Sequence, residues 1–339
     1  MKPTDFAYYL TDYLSKYLPN TAGLSMNTIM SYRDTFSLLL EFFNMEKRLL
    51  PEKITLKHLN KELISEYLGW LEAERRSIIS TRNVRLAAIH AFCRYLQLEY
   101  PDYLYQAQQI LAIPMKKTKM KTIEYLSLDA IKLLLGTPDE TTKNGRKDIV
   151  LLSLLYDSAA RVQEIADVKV SDIRIQSPST VKLTGKGNKT RIVPLMNPMA
   201  ILLEQYLIES QFTNHHMGSY PLFCNRSKDK LSRAGIGYIV NKYFNLARQM
   251  SPELFPDKIS PHCFRHSKAM HLLQSGVNIV YIRDFLGHVD IRTTETYARI
   301  DGEMKRKALE KGSNNLVSEK LPEWQSNPGL MNWLKTLGK

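Results

Sequence analysis

With 339 residues and a formal net charge of +13, the chain is long for a single compact core and is expected to form two domains. Its basic surface suits a polyanionic partner, because neutralising phosphates releases condensed counterions. No apolar run approaches a membrane span, and the opening MKPTDFAYYL, with Asp5 early and no small-residue cleavage site, does not read as a signal peptide. Three scattered cysteines, Cys93, Cys224 and Cys263, fit reduced thiols in a cytoplasmic protein better than a disulfide framework.

The first hundred residues read as nearly all helix. Ser25 is the expected cap of a helix through SMNTIMSYRDTFSLLLEFF, with Ile29, Tyr32, Phe36, Leu39, Leu40 and Phe43 at helical spacing. Thr55 opens TLKHLNKELISEYLGWLEAE, where Leu59, Leu63, Tyr67, Leu68 and Leu71 make an apolar face. Ser80 opens STRNVRLAAIHAFCRYLQLEY, with Val84, Ala88, Phe92, Tyr95 and Leu96 inward. The polar side of that helix carries Arg82 and Arg85, which either grip a phosphate backbone or form a solvated face. A shorter helical piece runs from Pro101 to near Ile113. PMKKTKMKT then carries Lys116, Lys117, Lys119 and Lys121 without apolar periodicity. It reads as an extended basic linker that lies along DNA, acts as a hinge, or both.

Beyond the linker, SLDAIKLLLG, capped by Ser127, and GRKDIVLLSLLYDSAARVQEIADV read as helices. DIRIQ, TVKLTG and TRIVPL are short and β-branched with alternation, which predicts a small antiparallel sheet with GKGNK as its last hairpin turn. From Pro198 onward the chain is helical again, with PLFCN as an extended interruption. Asn327 and Pro328 start a short amphipathic helix presenting Leu330, Met331, Trp333 and Leu334, which docks on a neighbouring subunit or folds back onto its own. The expected fold class is mainly α. A helical domain spans residues 1–113, a linker 114–122, a mostly helical second domain with a small antiparallel β-sheet 123–312, and a tail 313–339.

The stretch from Ser260 to Ile300 concentrates the chemistry. Ser260 and Pro261 read as the cap and first residue of a helix, with His262 and Arg265 in its opening turn on one face, where the helix N-terminus favours an anion. Gly287 ends the next helix and turns His288 off its end, and Tyr297 sits in a following helix that Asp290 caps. Upstream, Arg161 follows the apolar helix, Glu164 lies one turn later where it can orient an arginine, and Lys186 sits at the hairpin tip. Attack by a phenol on a phosphodiester has needs that this set meets. The phenol's pKa of about 10 makes deprotonation at neutral pH cost roughly 4 kcal/mol. Guanidinium forks match two non-bridging oxygens, and the leaving 5′ oxygen must receive a proton. Lys189 competes with Lys186 as the proton donor, and the hairpin position favours Lys186. His266, His271, His215 and His216 read as structural or surface residues, and Cys263 as a packing residue.

In this order, Arg161, Lys186, His262-x-x-Arg265, Leu286-Gly287-His288 and Tyr297 resemble the tyrosine recombinase (phage integrase) family. ARVQEIADV, TGKGNKTRIVPL, SPHCFRHSKAMHLL and FLGHVDIRTTETYARI are similar to its conserved boxes, and TIMSYRDTFSLLLEFF and TRNVRLAAIHAFCRYL to its SAM-like core-binding domain. The resemblance covers about Thr4 to Lys311. It implies a catalytic set of Arg161, Lys186, His262, Arg265, His288 and Tyr297, with Glu164 in support. Tyr297 would form a 3′-phosphotyrosyl link and free a 5′ hydroxyl. Arg161 and Arg265 would hold the non-bridging oxygens, Lys186 would protonate the leaving oxygen, His262 would act as general acid-base and His288 would bond the phosphate. No metal, ATP or other cofactor is expected. One departure is Ala159, where the family often has glycine, so a modest backbone adjustment is expected there. The core-binding helices start almost at Met1, which suggests a compact recombinase without an arm-binding domain. The resemblance implies double-stranded DNA with a specific recombination site as partner and a homo-tetramer on paired sites, with or without a partner recombinase. The function expected is integration, excision or transposition of a mobile element through a Holliday junction. The alternatives are Xer-type chromosome dimer resolution and nicking-closing of the type IB topoisomerase kind.

Overall fold

Apolar residues at three- and four-residue spacing build a main core in each of the units Met1–Lys121 and Thr122–Lys339. The computed structural model describes residues 3–118, 123–212, 217–300 and 328–337. It is mainly α-helical with one three-stranded antiparallel sheet. Among the described residues no helix is long and apolar enough to cross a membrane.

The first unit is made of α1 (Asp5–Asp12), α2 (Met26–Lys47), α3 (Lys61–Ala73), α4 (Ile79–Glu99) and α5 (Leu104–Leu111). Thr4 caps α1 through a 3.2 Å bond from the Ala7 amide. Tyr13, Phe36, Phe43, Tyr67 and Phe92 fill the core with Leu39, Leu86 and Leu96. Buried phenols find partners: Tyr95 donates to Asp12 at 2.7 Å, and Tyr103 to the Leu59 carbonyl at 2.5 Å.

Three expectations shift here. Thr55 does not open the long helix; it caps a single 3₁₀ turn, Leu56–His58, while Asn60 caps α3 by accepting from the Leu63 amide. The helix expected from Ser80 starts at Ile79. Val84, expected inward, is half exposed, because the buried face of α4 follows Leu86, Ile89, Phe92, Cys93 and Leu96.

The second unit contains α6 (Leu128–Leu135), capped by Ser127 as expected, α7 (Lys143–Asp157) and α8 (Val162–Asp167). The strands β1 (Ile173–Arg174), β2 (Thr180–Thr184) and β3 (Thr190–Pro194) pair in sequence order, with Val181 opposite Val193 and Thr184 opposite Thr190. Val181, Leu183 and Val193 point into the core while Ile192 is exposed, as the alternation requires. The GKGNK turn is made by the positive φ of Gly187 and Asn188. After α9 (Asn197–Glu209), the PLFCN segment is extended and Leu222 bonds back to the Val168 carbonyl. Helices α10 (Arg233–Met250), α11 (His262–Gln274), α12 (Ile279–Leu286) and α13 (Ile291–Ile300) follow. Ala159, Met270, Leu273, Ile282, Leu286 and Tyr297 form a second small core in this unit. The C-terminal helix α14 (Pro328–Thr336) leaves Trp333 and Leu334 exposed and Leu330 half-buried; the Met331 side chain lies outside the described residues.

Gly145, in the first turn of α7, fits because it has no side chain: a Cβ there would collide with the Asp139 carbonyl oxygen and stand 2.9 Å from Thr142 Oγ1. In an open helix, glycine to alanine gains about 1 kcal/mol. Gly145→Ala should instead destabilise the protein by about 1–3 kcal/mol, because the backbone must shift. Urea denaturation checks this, and an equal or more stable variant would mean that the close approach is not there.

Candidate active site

The corner between α7 and α8 brings the first arginine into place. Ala159 takes a left-handed conformation (φ 46°) inside the small core, which costs a non-glycine residue about 1–2 kcal/mol. Instead of the backbone adjustment expected for alanine at a position where the family often has glycine, Ala159 keeps a left-handed conformation that glycine takes at no cost. Arg161 then occupies the cap position of α8. Its amide donates to Glu164 Oε2 at 2.8 Å and its guanidinium to Oε1 at 2.8 Å.

Glu164 is 2 % exposed and serves two arginines. Arg191, on β3, donates to both of its oxygens at 2.9 and 2.8 Å, and its Nε reaches the Phe285 carbonyl at 3.0 Å. Burial alone would raise the Glu164 carboxyl, but the bonds and charge of Arg191, with the amide and guanidinium of Arg161, hold it at about 2. The β-sheet, α8 and the end of α12 are thereby tied at one carboxylate.

Arg265 is 3 % exposed and donates to the Ala159 carbonyl at 2.7 Å and the Leu286 carbonyl at 2.6 Å. Burial, then Arg161 and Arg191, lowers it to about 10, which leaves it charged at neutral pH. Among the described residues no carboxylate forms an ion pair with it. Three guanidinium charges against the single carboxylate Glu164 leave this inner cluster at +2, a state that calls for an anion.

Helix α11 begins at His262, one residue later than expected, with Pro261 at the cap and the Ser260 carbonyl accepting from the Cys263 amide. His262 sits exposed at the edge of the cleft. Desolvation by its neighbours, then Arg265, Arg233 and Arg161, lowers its pKa. Gly287 ends α12 in the left-handed region (φ 65°, ψ 43°), which turns His288 into the cleft as expected. The His288 ring bonds Thr294 at 2.9 Å and is drawn down to about 4 by burial, Arg265, Arg161 and Arg191. Asp290 caps α13 by accepting from the Arg292 amide. On that helix Tyr297 is 3 % exposed, and its hydroxyl lies 2.9 Å from His266 Nδ1. Burial raises the phenol, and Arg265 and Arg161 work against the rise.

One open cleft of about 960 Å³ thus collects Arg161, His262, Arg265, His288 and Tyr297, with Lys189 and Arg191 on its wall. Lys186 lies at the hairpin tip, and its side chain is outside the described residues. Two cleft residues escaped the sequence reading. Arg191 is a charged residue in phase with buried Val193 on β3, a signal that alternation carries. His266, read as structural or surface, stands four residues after His262 on the same helix face, and the structure corrects that reading by placing its ring against Tyr297. His271 is buried against the Tyr156 hydroxyl, and Cys263 packs beneath the Glu124 carbonyl. His215 and His216 lie outside the described residues.

In the first unit, the solvated-face reading of Arg82 and Arg85 needs correction. Arg82 is 6 % exposed and donates to the Pro114 carbonyl at 3.3 Å, while Arg85 donates to the Ser31 carbonyl and Thr35. Their long stems pack down, and their guanidiniums are taken up by carbonyls of the same domain. The start of the expected linker is fixed as well: Asn83 brackets the Lys116 backbone, and Lys116 pairs with Glu72 at 2.6 Å. Lys117 is exposed, and Lys119 and Lys121 lie outside the described residues.

The depressed carboxyl of Glu164 carries a pH signature. Its contribution is complete above the ordinary value near 4.5 and is lost as pH falls toward about 2, roughly 3 kcal/mol in all. Glu164→Gln should therefore be much less stable than the parent at neutral pH, with the gap narrowing as pH falls below about 4.5. Urea denaturation across that range checks this, and a gap independent of pH would contradict it.

Comparison with known proteins gives this geometry a family. The model of the phage integrase family matches residues 97–304, and that of the phage integrase N-terminal SAM-like domain matches residues 10–99. A putative integrase/recombinase y4rC of Sinorhizobium fredii is 32% identical over 99% of both chains. Tyrosine recombinase XerD of Staphylococcus epidermidis is 32% identical over 84% of this chain and 92% of its own. Two solved structures share the fold. The XerH site-specific recombinase bound to palindromic difH substrate has a TM-score of 0.68 at 21% identity, covering 88% of this chain and 84% of that one. The Tn1549 transposon integrase in complex with a circular intermediate DNA has a TM-score of 0.67 at 14% identity, covering 91% and 100%. The chain belongs to the phage integrase family and is a tyrosine recombinase, an enzyme that breaks and rejoins DNA strands.

Proposed function

We propose that Tyr297 attacks a phosphodiester of double-stranded DNA at a specific site, forming a 3′-phosphotyrosyl link and freeing a 5′ hydroxyl. Arg161 and Arg265 hold the non-bridging oxygens, His288 bonds the phosphate, His262 assists proton transfer, and Lys186 protonates the leaving oxygen. Lys189, on the cleft wall, is the other candidate for that last role. Glu164 positions Arg161. The observation that carries this reading is the buried, uncompensated Arg265 beside Tyr297 in one cleft. A phosphate in that cleft supplies the missing negative charge, and fixed guanidiniums stabilise the charge that grows on phosphorus.

In the same reading, residues 1–113 form the core-binding domain, and the basic residues 114–122 run along the DNA toward the catalytic domain, residues 123–312. Lys116, Lys117, Lys119 and Lys121 line the path of the backbone, while Arg82 and Arg85, bonded to carbonyls of their own domain, hold α4 in place. Four protomers pair two sites in the cytoplasm and exchange strands through a Holliday junction, alone or with a partner recombinase. The exposed Trp333 and Leu334 of α14, within the tail 313–339, suit docking on a neighbouring protomer. The role is movement of a mobile element. Similarity to an integrase/recombinase along the whole chain supports it, while similarity to XerD supports chromosome dimer resolution as a second reading.

Two experiments test these statements. A nicked suicide duplex, carrying a site the protein selects from randomised double-stranded DNA, should trap a covalent adduct with the parent and none with Tyr297→Phe. No adduct from the parent would sink the cleavage reading. Mapping the selected site onto the genome separates the roles. Copies flanking a mobile element support transposition or integration, and a single copy near the replication terminus would replace that with dimer resolution.

A further inference from the structure

Tyr297 needs a proton acceptor, and the cleft contains one that the phosphate contacts leave free. His266 directly follows Arg265 on α11 and lies one turn beyond His262, with the two rings 6.4 Å apart. Its Nδ1 is 2.9 Å from the Tyr297 hydroxyl oxygen, and the two rings are tilted at 5.7 Å. The titratable and charged groups around it are His262 and Arg265 from its own helix, Tyr297 from α13 and His288 from the turn after α12. Burial, then His262 and Arg265, draws the ring down to about 4, so it is neutral at neutral pH. A neutral imidazole has one nitrogen with a free lone pair, and in the Nε2–H tautomer that nitrogen is Nδ1.

We propose that His266 is the general base for Tyr297, taking its proton during cleavage and returning it during rejoining. The inference rests on Tyr297 being the nucleophile. In the cleavage step the Oη–H bond breaks and its proton passes to Nδ1, while an Oη lone pair forms the bond to phosphorus. The bond from phosphorus to the 5′ oxygen breaks, and that oxygen keeps the electron pair and is protonated by the general acid. Burial first, and then its charged neighbours, leave His266 a weak base. A bound phosphodiester offsets the Arg265 charge, and the charge growing on phosphorus strengthens the base when the proton must move.

The test is single-turnover cleavage of the nicked suicide duplex by the full-length parent and His266→Asn. Asparagine keeps an acceptor oxygen near the position of Nδ1, so it still orients the phenol, but it takes no proton. The rate should fall about 10²–10⁴-fold with DNA affinity unchanged, and the parent's loss of rate toward acid pH should disappear. A duplex with sulfur in place of the scissile 5′ oxygen, whose thiolate leaves without a proton, should show the same relative defect. His266→Phe, which fills the ring's volume, should show the same loss and serves where the asparagine variant does not fold. A His266→Asn rate within a few-fold of the parent overturns the proposal. So does rescue by the sulfur substrate, which would put His266 on the leaving-group side. Absence of an adduct from the parent overturns the Tyr297 reading, and this proposal with it.

Discussion

One buried carboxylate with two arginines on it sets the geometry of the cleft. Glu164 accepts from the Arg161 amide, the Arg161 guanidinium and both terminal nitrogens of Arg191. Removing one partner from such a group leaves a buried charge uncompensated, a loss of about 3–5 kcal/mol. The carboxylate therefore fixes what is bonded to it. Arg191 also donates to the Phe285 carbonyl, one turn of chain before His288, so the hairpin, α8 and the His288 turn are bonded to one another. Rigid placement of this kind is what makes fixed charges useful in catalysis, since they need no reorganisation when the substrate reacts.

Arg265 stands apart from that bracket and gives the cleft its appetite for an anion. Its guanidinium is held by two backbone carbonyls, Ala159 and Leu286, which orient it without cancelling its charge. The strained left-handed Ala159 belongs to the same design: its conformation aims the carbonyl that Arg265 uses. Tyr297 lines the same cleft. Burial raises its pKa, its neighbours are cations that pull the other way, and its hydroxyl is engaged by His266. In the proposed reaction the DNA phosphate supplies the negative charge that balances these guanidiniums.

Much of this was legible in the sequence where local chemistry decides the structure. Ser127 and Gly287 mark helix ends because each cap is a local contact, a side-chain bond from the Ala130 amide and a left-handed turn, and the alternation in TVKLT and TRIVP matches the paired strands of the hairpin. What local patterns miss is partnership at a distance. Arg82 and Arg85 fall on the polar phase of α4, where pattern alone leaves a phosphate contact and a solvated face both open, yet the segment after α5 and the helix α2 supply carbonyls that bond them. Arg191 and Glu164 are 27 residues apart, and only the folded sheet joins them. His266 was discounted as one histidine among several, although its spacing from His262 placed both on one face. Tertiary packing of α13 decides which of the two touches Tyr297.

The proposed role of Tyr297 as carrier of the DNA strand is tested by mass spectrometry of the trapped adduct. Trypsin cuts after Arg292 and Arg299, so nuclease and trypsin digestion of the complex should leave a nucleotide joined through its 3′ phosphate to Tyr297 in the peptide TTETYAR. A nucleotide on any other residue, or one joined through its 5′ end, would contradict the account.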